Sequence, residues 1–195
     1  MRVLFAAILL CLAGFGCQSY YNGVPVQKAL VERTAYNLKY KYGGPLTDVR
    51  YITIHNTWNS APAQRERDYL NNRSDGIHIS YHFVVDELGI IQTMPLDECA
   101  WHAGDKRQGQ GNRNSIGVEI ARSRCYGIED HLYRQAEENA VHLAAWLLNR
   151  YKLSVNDLRM HKDWSGKNCP HRILEEKRWD EFKARVAASL HNLQD

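Results

Sequence analysis

The sequence is poor in most features that would mark a specialised chain. Cysteine is scarce, with 5 in 195 residues, and the spacing of a zinc finger is missing, as is any HExxH pair. Proline (5) and glycine (13) are too few for a collagen-like or disordered chain, and there are no repeats or low-complexity tracts. Neither charge sign dominates. Against 25 Lys and Arg stand 22 Asp and Glu, a net of +3, too weak a field to argue for nucleic acid. No apolar run reaches the roughly 20 residues that span a bilayer. What is there, 44% hydrophobic and 24% charged residues, suits one globular domain of ordinary size.

The first 16 residues, MRVLFAAILLCLAGFG, put Arg2 before an uninterrupted apolar run of 11 from Val3 to Ala13. The run fits the core of a secretory signal. Gly14 and Gly16 precede Cys17 as at a lipoprotein cleavage site, although Gly14 stands where Leu is usual. The expected organisation is a signal peptide over 1–16, Cys17 as lipidated first residue, a lead-in over 17–45, and a catalytic domain over 46–195. The expected location is the periplasm or cell envelope, with membrane contact only through the lipid. Three cysteines remain beyond Cys17. The plain expectation is a Cys99–Cys125 disulfide with one spare thiol, and Cys169 is the candidate for a thiol held as a thiolate.

Beyond the lead-in, read as polar loop, strand-like and helix-like segments alternate. Tyr51 to His55 is β-branched, and a helix starts near Asn59 or Ser60 with Pro62 in its first turn. Residues 77–86 alternate, with Ile77, Ile79, Tyr81, Phe83 and Val85 on one face. A Leu88-Gly89 turn leads to a strand over 90–93, and 116–121 reads as another strand. Apolar stripes at helical spacing cover about 130–151 and 175–193. The pattern predicts a single α/β domain with a central mixed sheet flanked by helices.

Of nine histidines, His131, His142 and His191 fall on helices without a partner pattern, and His78 and His82 are too far apart along a strand to share a metal. His55 ends a strand, and His161 opens the segment HKDWSGKNCPH that contains Cys169. Two imidazoles and a thiolate suit tetrahedral Zn²⁺ with a fourth position for water. The same residues would also serve a Cys169–His161 thiol hydrolase, and the residues alone leave both readings open.

Four ordered blocks carry a resemblance. They are IHNT (54–57) with APA (61–63), AWHAGD (100–105), GNRNSIGVEI (111–120), and residues 161–172. Together they resemble the type 2 family of zinc-dependent N-acetylmuramoyl-L-alanine amidases, which includes phage endolysins and peptidoglycan recognition proteins. The resemblance implies one Zn²⁺ per chain on His55, His161 and Cys169. It matches Glu119 to the catalytic carboxylate of the endolysin branch, Lys167 to a lysine facing the reacting carbonyl, and Tyr81 to the catalytic tyrosine of the phage-lysozyme branch. Asn56, Thr57, Trp101 and His102 are expected to line the substrate groove.

The implied activity is hydrolysis of the bond between N-acetylmuramic acid and L-alanine, acting as a monomer on peptidoglycan or muropeptides, with no nucleic-acid partner. A non-catalytic peptidoglycan-binding module is the alternative from another class. Chemically the roles cohere: Glu119 would take the proton of water and pass it to the leaving amine, while Lys167 or Tyr81 donates to the oxyanion.

Overall fold

Two β-branched or apolar segments, Tyr51–Asn56 and Ser115–Ile120, pair in parallel near the middle of a seven-stranded sheet. Their side chains are buried on both faces, as expected of strands covered from two sides. The computed structural model describes residues 18–194, so the expected signal segment and Cys17 lie outside the described residues.

In chain order the strands are β1 (Ser19–Tyr21), β2 (Val24–Lys28), β3 (Tyr51–Asn56), β4 (Phe83–Asp86), β5 (Gly89–Gln92), β6 (Ser115–Ile120) and β7 (Leu158–Met160). The helices are α1 (Ala35–Tyr40), α2 (Ala63–Asn72), α3 (Gln110–Arg113), α4 (Asp130–Tyr151), α5 (His161–Ser165), α6 (His171–Glu175) and α7 (Trp179–His191). The sheet runs β1-β2-β5-β4-β6-β3-β7, with β1/β2 and β4/β5 antiparallel and the other pairs parallel. This is the mixed α/β sheet the alternation predicts.

The main core lies between one face of the sheet and α4. Ala136, Ala140, Ala144 and Ala145 keep α4 close to the strands, and Tyr133, Leu147 and Leu148 fill the space beside them. Phe182, Val186 and Leu190 of α7 complete that core. The opposite face carries a smaller cluster in which Leu70 of α2 meets Val84, Ile91 and Met94. Among the described residues no helix is long and apolar enough to cross a membrane.

Several local expectations are corrected. The lead-in is not all loop: its Val24 and Val26 join the main core, and β2 pairs with β5. The strand expected over 77–86 begins only at Phe83. Upstream, Ser80 N–H is taken by the Trp101 carbonyl and His82 N–H by that of Gly117, so Tyr81 turns into the smaller cluster while Phe83 and Val85 face the main core. Helix α2 starts at Ala63 with Pro62 at its cap position. Its first N–H is satisfied across the fold, by the Asp86 carboxylate at 2.8 Å. Cys99 and Cys125 do not pair. Both are free thiols, Cys99 beside the Pro45 carbonyl and Cys125 beside that of Ser60.

Candidate metal centre and active site

Strand register builds the site. His55 lies directly opposite Glu119 in the β3/β6 pair, and Ile54 opposite Met160 in the β3/β7 pair, so His161 emerges at the end of β7 beside His55. The chain after α5 turns at Gly166, which takes the left-handed conformation favourable to glycine, and Lys162 N–H then bonds the Cys169 carbonyl at 3.0 Å. That loop returns the Cys169 sulfur to the end of β3.

The donor atoms of His55, His161 and Cys169 lie within 4.8 Å of one another, and all three residues are buried. His55 Nδ1 is 3.0 Å from His161 Nδ1 and 3.8 Å from Cys169 Sγ, with a Glu119 oxygen 4.0 Å away. Burial sets the electrostatics. It drives His55 well below the usual imidazole range, with His102, His161 and Lys167 adding to it, and with Lys167 it lowers His161 to about 4. Both rings are therefore neutral and offer lone pairs. Burial, then the Glu119 charge, pushes the Cys169 thiol up to about 12. Glu119 is pushed up to about 8, burial and Glu66 outweighing the pull of Lys167, and its Oε2 is buried without a partner. Two facing imidazoles, a sulfur and an orphaned carboxylate oxygen suit a thiophilic dication, whose charge would answer the burial cost of each anion.

A cleft of about 300 Å³ opens beside this cluster, lined by Glu119, Lys167, Cys169 and Tyr81 together with Trp58 and His171. Lys167 is exposed at its edge. The Tyr81 hydroxyl donates to the Glu66 carbonyl at 3.0 Å, so its proton is already committed. A separate cavity of about 670 Å³ contains Trp101 with Lys39, His78, Lys106 and Arg107, and among the described residues no carboxylate lines it.

The expected groove residues separate. Asn56 and Thr57 border the smaller cleft, but the Asn56 oxygen is engaged by Arg172 N–H at 3.1 Å. Trp101 borders the larger cavity. His102 lies behind His55, its Nδ1 3.0 Å from His55 Nε2, so it faces the back of that ring rather than the cleft. Trp58, to which the sequence attached no expectation, is exposed, packs on the His171 ring at 3.9 Å and carries the Arg124 guanidinium 4.0 Å from its ring centroid. An unexplained tryptophan one residue after the IHNT block was the available signal.

A family model described as N-acetylmuramoyl-L-alanine amidase matches residues 45–172. Among curated proteins, N-acetylmuramoyl-L-alanine amidase CwlA of Bacillus subtilis (strain 168) is 43% identical over 170 residues, covering 87% of this chain and 60% of that protein. N-acetylmuramoyl-L-alanine amidase XlyB of the same organism is 44% identical over 168 residues, covering 86% of this chain and 50% of that one. The chain thus spans about half to three-fifths of these relatives. Among solved structures, PlyL superposes with a TM-score of 0.74 at 38% identity, covering 83% of this chain and 96% of its own. The catalytic domain of XlyA gives 0.71 at 36%, covering 83% and 98%.

Proposed function

The chain belongs to the N-acetylmuramoyl-L-alanine amidase family, and on that premise we propose that it hydrolyses the amide between N-acetylmuramic acid and L-alanine in peptidoglycan or muropeptides, using one Zn²⁺ held by His55, His161 and Cys169. The observation that carries this is the convergence of those three donors, from β3 and from the distant 161–169 segment, beside the half-buried Glu119 carboxylate. When bound, Zn²⁺ supplies Lewis acidity that polarises a carbonyl and acidifies water near neutral pH.

The chain's own groups would do the rest. Glu119, whose Oε2 has no other partner, would in its ionised form accept one proton of the attacking water and return it to the departing nitrogen as the C–N bond breaks; the new carboxylic acid gives up the second water proton, so the products are a carboxylate and the ammonium of alanine. Lys167, at the cleft edge, donates to the carbonyl oxygen as it gains charge. Because Tyr81 is held to the Glu66 carbonyl, Glu119 and Lys167 take the larger shares. The cationic cavity around Trp101 favours an anionic stem peptide. The cell envelope is the location that goes with this substrate.

Burial pushes the Cys169 thiol up to about 12 and its sulfur is 3.8 Å from His55 Nδ1, which supports the metal reading over a thiol nucleophile activated by His161. Digestion of purified sacculi tests the proposal. New free alanine amines should appear without new sugar reducing ends, a chelator should stop the reaction, and Zn²⁺ should restore it. New reducing ends, or activity indifferent to chelator, would reject it; binding to sacculi without product would favour a binding module.

A further inference from the structure

Behind His55 runs a set of buried hydrogen bonds that the proposed chemistry does not use. Trp164 Nε1 is 3.0 Å from Thr53 Oγ1, Thr53 Oγ1 is 2.7 Å from Ser115 Oγ, and Ser115 Oγ is 2.8 Å from the Gly111 carbonyl. His102 Nε2 lies 3.5 Å from the same Ser115 oxygen, while His102 Nδ1 is 3.0 Å from His55 Nε2.

The ends of this chain have no freedom. An indole N–H can only donate and a carbonyl can only accept. Trp164 donates to one lone pair of Thr53, and because the Ser115 proton is taken by the Gly111 carbonyl, the proton shared between the two hydroxyls comes from Thr53. The Ser115 proton goes to Gly111, which leaves Ser115 as an acceptor for His102 Nε2–H. Its Nδ1 is then a lone pair, and His55 must carry its proton on Nε2. The opposite assignment would reverse Ser115 and strip the Gly111 carbonyl of its donor.

We propose that the Trp164–Thr53–Ser115–His102 chain is a positioning device that fixes His55 as the Nε2–H tautomer and so presents its Nδ1 lone pair to His161 and Cys169. Only the identity of the liganding nitrogen rests on the zinc reading. The device also ties the two histidine ligands together. Thr53 and His55 share β3, and Trp164 stands one turn after His161 on α5, so the bonds close a loop from one ligand to the other.

Two glycines make room for it. A Cβ on Gly117 would fall 2.7 Å from the His102 ring, and one on Gly111 would fall 2.8 Å from the Trp164 ring. The neighbouring His82 cannot supply a competing proton, because its Nδ1 accepts from Gly117 N–H and its Nε2 donates to the Glu98 carbonyl.

The test is ¹⁵N NMR of the imidazoles in metal-free protein, paired with Zn²⁺ affinity by chelator competition. Wild type should show His55 as Nε2–H. Thr53→Val, nearly isosteric but unable to relay a proton, should show mixed tautomers and about tenfold to hundredfold weaker Zn²⁺ binding. Thr53→Ser should restore both. Should Thr53→Val fail to fold, Trp164→Phe, at a partly exposed position, removes the first donor and is read in the same way. His55 found as Nδ1–H in wild type would overturn the proposal, as would folded variants that keep both the tautomer and the affinity. Neither measurement uses substrate, so failure of the amidase reading would be seen separately in the sacculus assay.

Discussion

Arg172 offers a demanding test of how the Cys169 loop is anchored. Its side chain is 1% exposed and lies between the rings of Tyr126 and Tyr133, at 4.4 and 4.0 Å. The guanidinium bonds the carbonyls of Ser123 and Cys125, the Asp130 carboxylate, and Glu176 at 3.0 Å. Arg172→Ala would strip two carbonyls of donors and open a gap between two aromatic rings. Removing one partner of a buried ion pair costs about 3–5 kcal/mol. Here Asp130 keeps Arg134, and Glu176 keeps Arg134 and Arg178, so the lower end applies, about 3 kcal/mol. For a chain of this size that corresponds to a fall in Tm of about 6–12 °C. Arg172→Lys retains charge without the planar fork and should lose about half as much. Urea denaturation at pH 7 with an unchanged m value measures both. The contact to Asn56 comes from the Arg172 main chain, so folded Arg172→Ala should still bind Zn²⁺ nearly as wild type does. A loss below about 1 kcal/mol for the alanine variant would refute the anchoring argument.

Glu119→Gln should lower turnover by about 10²–10⁴-fold while leaving zinc content unchanged, whereas Tyr81→Phe should cost less than about tenfold because its hydroxyl serves Glu66; steady-state kinetics with metal analysis compares them. Gly117→Ala forces a Cβ against the His102 ring and should destabilise the fold by about 1–3 kcal/mol and weaken Zn²⁺ binding, read by denaturant melts and chelator competition. Glu176 gives a pH test. Burial would raise its pKa, but hydrogen bonds from Arg134, Arg172 and Arg178 prevail and hold it at about 2, against about 4.3 when unfolded. Its contribution is present above about pH 4.3 and is lost as pH falls towards 2. Glu176→Gln should therefore be about 1–2 kcal/mol less stable than wild type at pH 7, a value between those for exposed and buried pairs, with the gap largely closed at pH 2. Thermal melts across that range check it, and a gap independent of pH would reject the arginine cage.

Local pattern made much of this architecture legible. β-Branched or apolar runs marked β3 and β6, and the apolar stripe over 130–151 marked α4 to within the residues observed. The elements it missed are short or lean on distant partners. β1 and β2 hold only 3 and 5 residues in a Tyr-rich, polar stretch, and pairing with β5 is what makes β2 a strand. α5 and α6 have 5 residues each, too few for periodicity to register; α2 was expected, but its start at Ala63 is set by a cap from Asp86, 23 residues away.

The site divides along the same line. Chemical type and motif resemblance pointed to His55, Glu119, His161, Lys167 and Cys169, because imidazole, thiol and carboxyl groups carry their chemistry in their identity. Which groups face one another was decided by the sheet: β3 between β6 and β7 sets His55 beside Glu119 and brings His161 to it. The same packing moved His102 from the expected groove to the back of His55 and bound the Tyr81 hydroxyl to a main-chain carbonyl. A residue's reactivity is a local property, while its orientation and proton depend on neighbours tens of residues away, and those neighbours meet only in the folded chain.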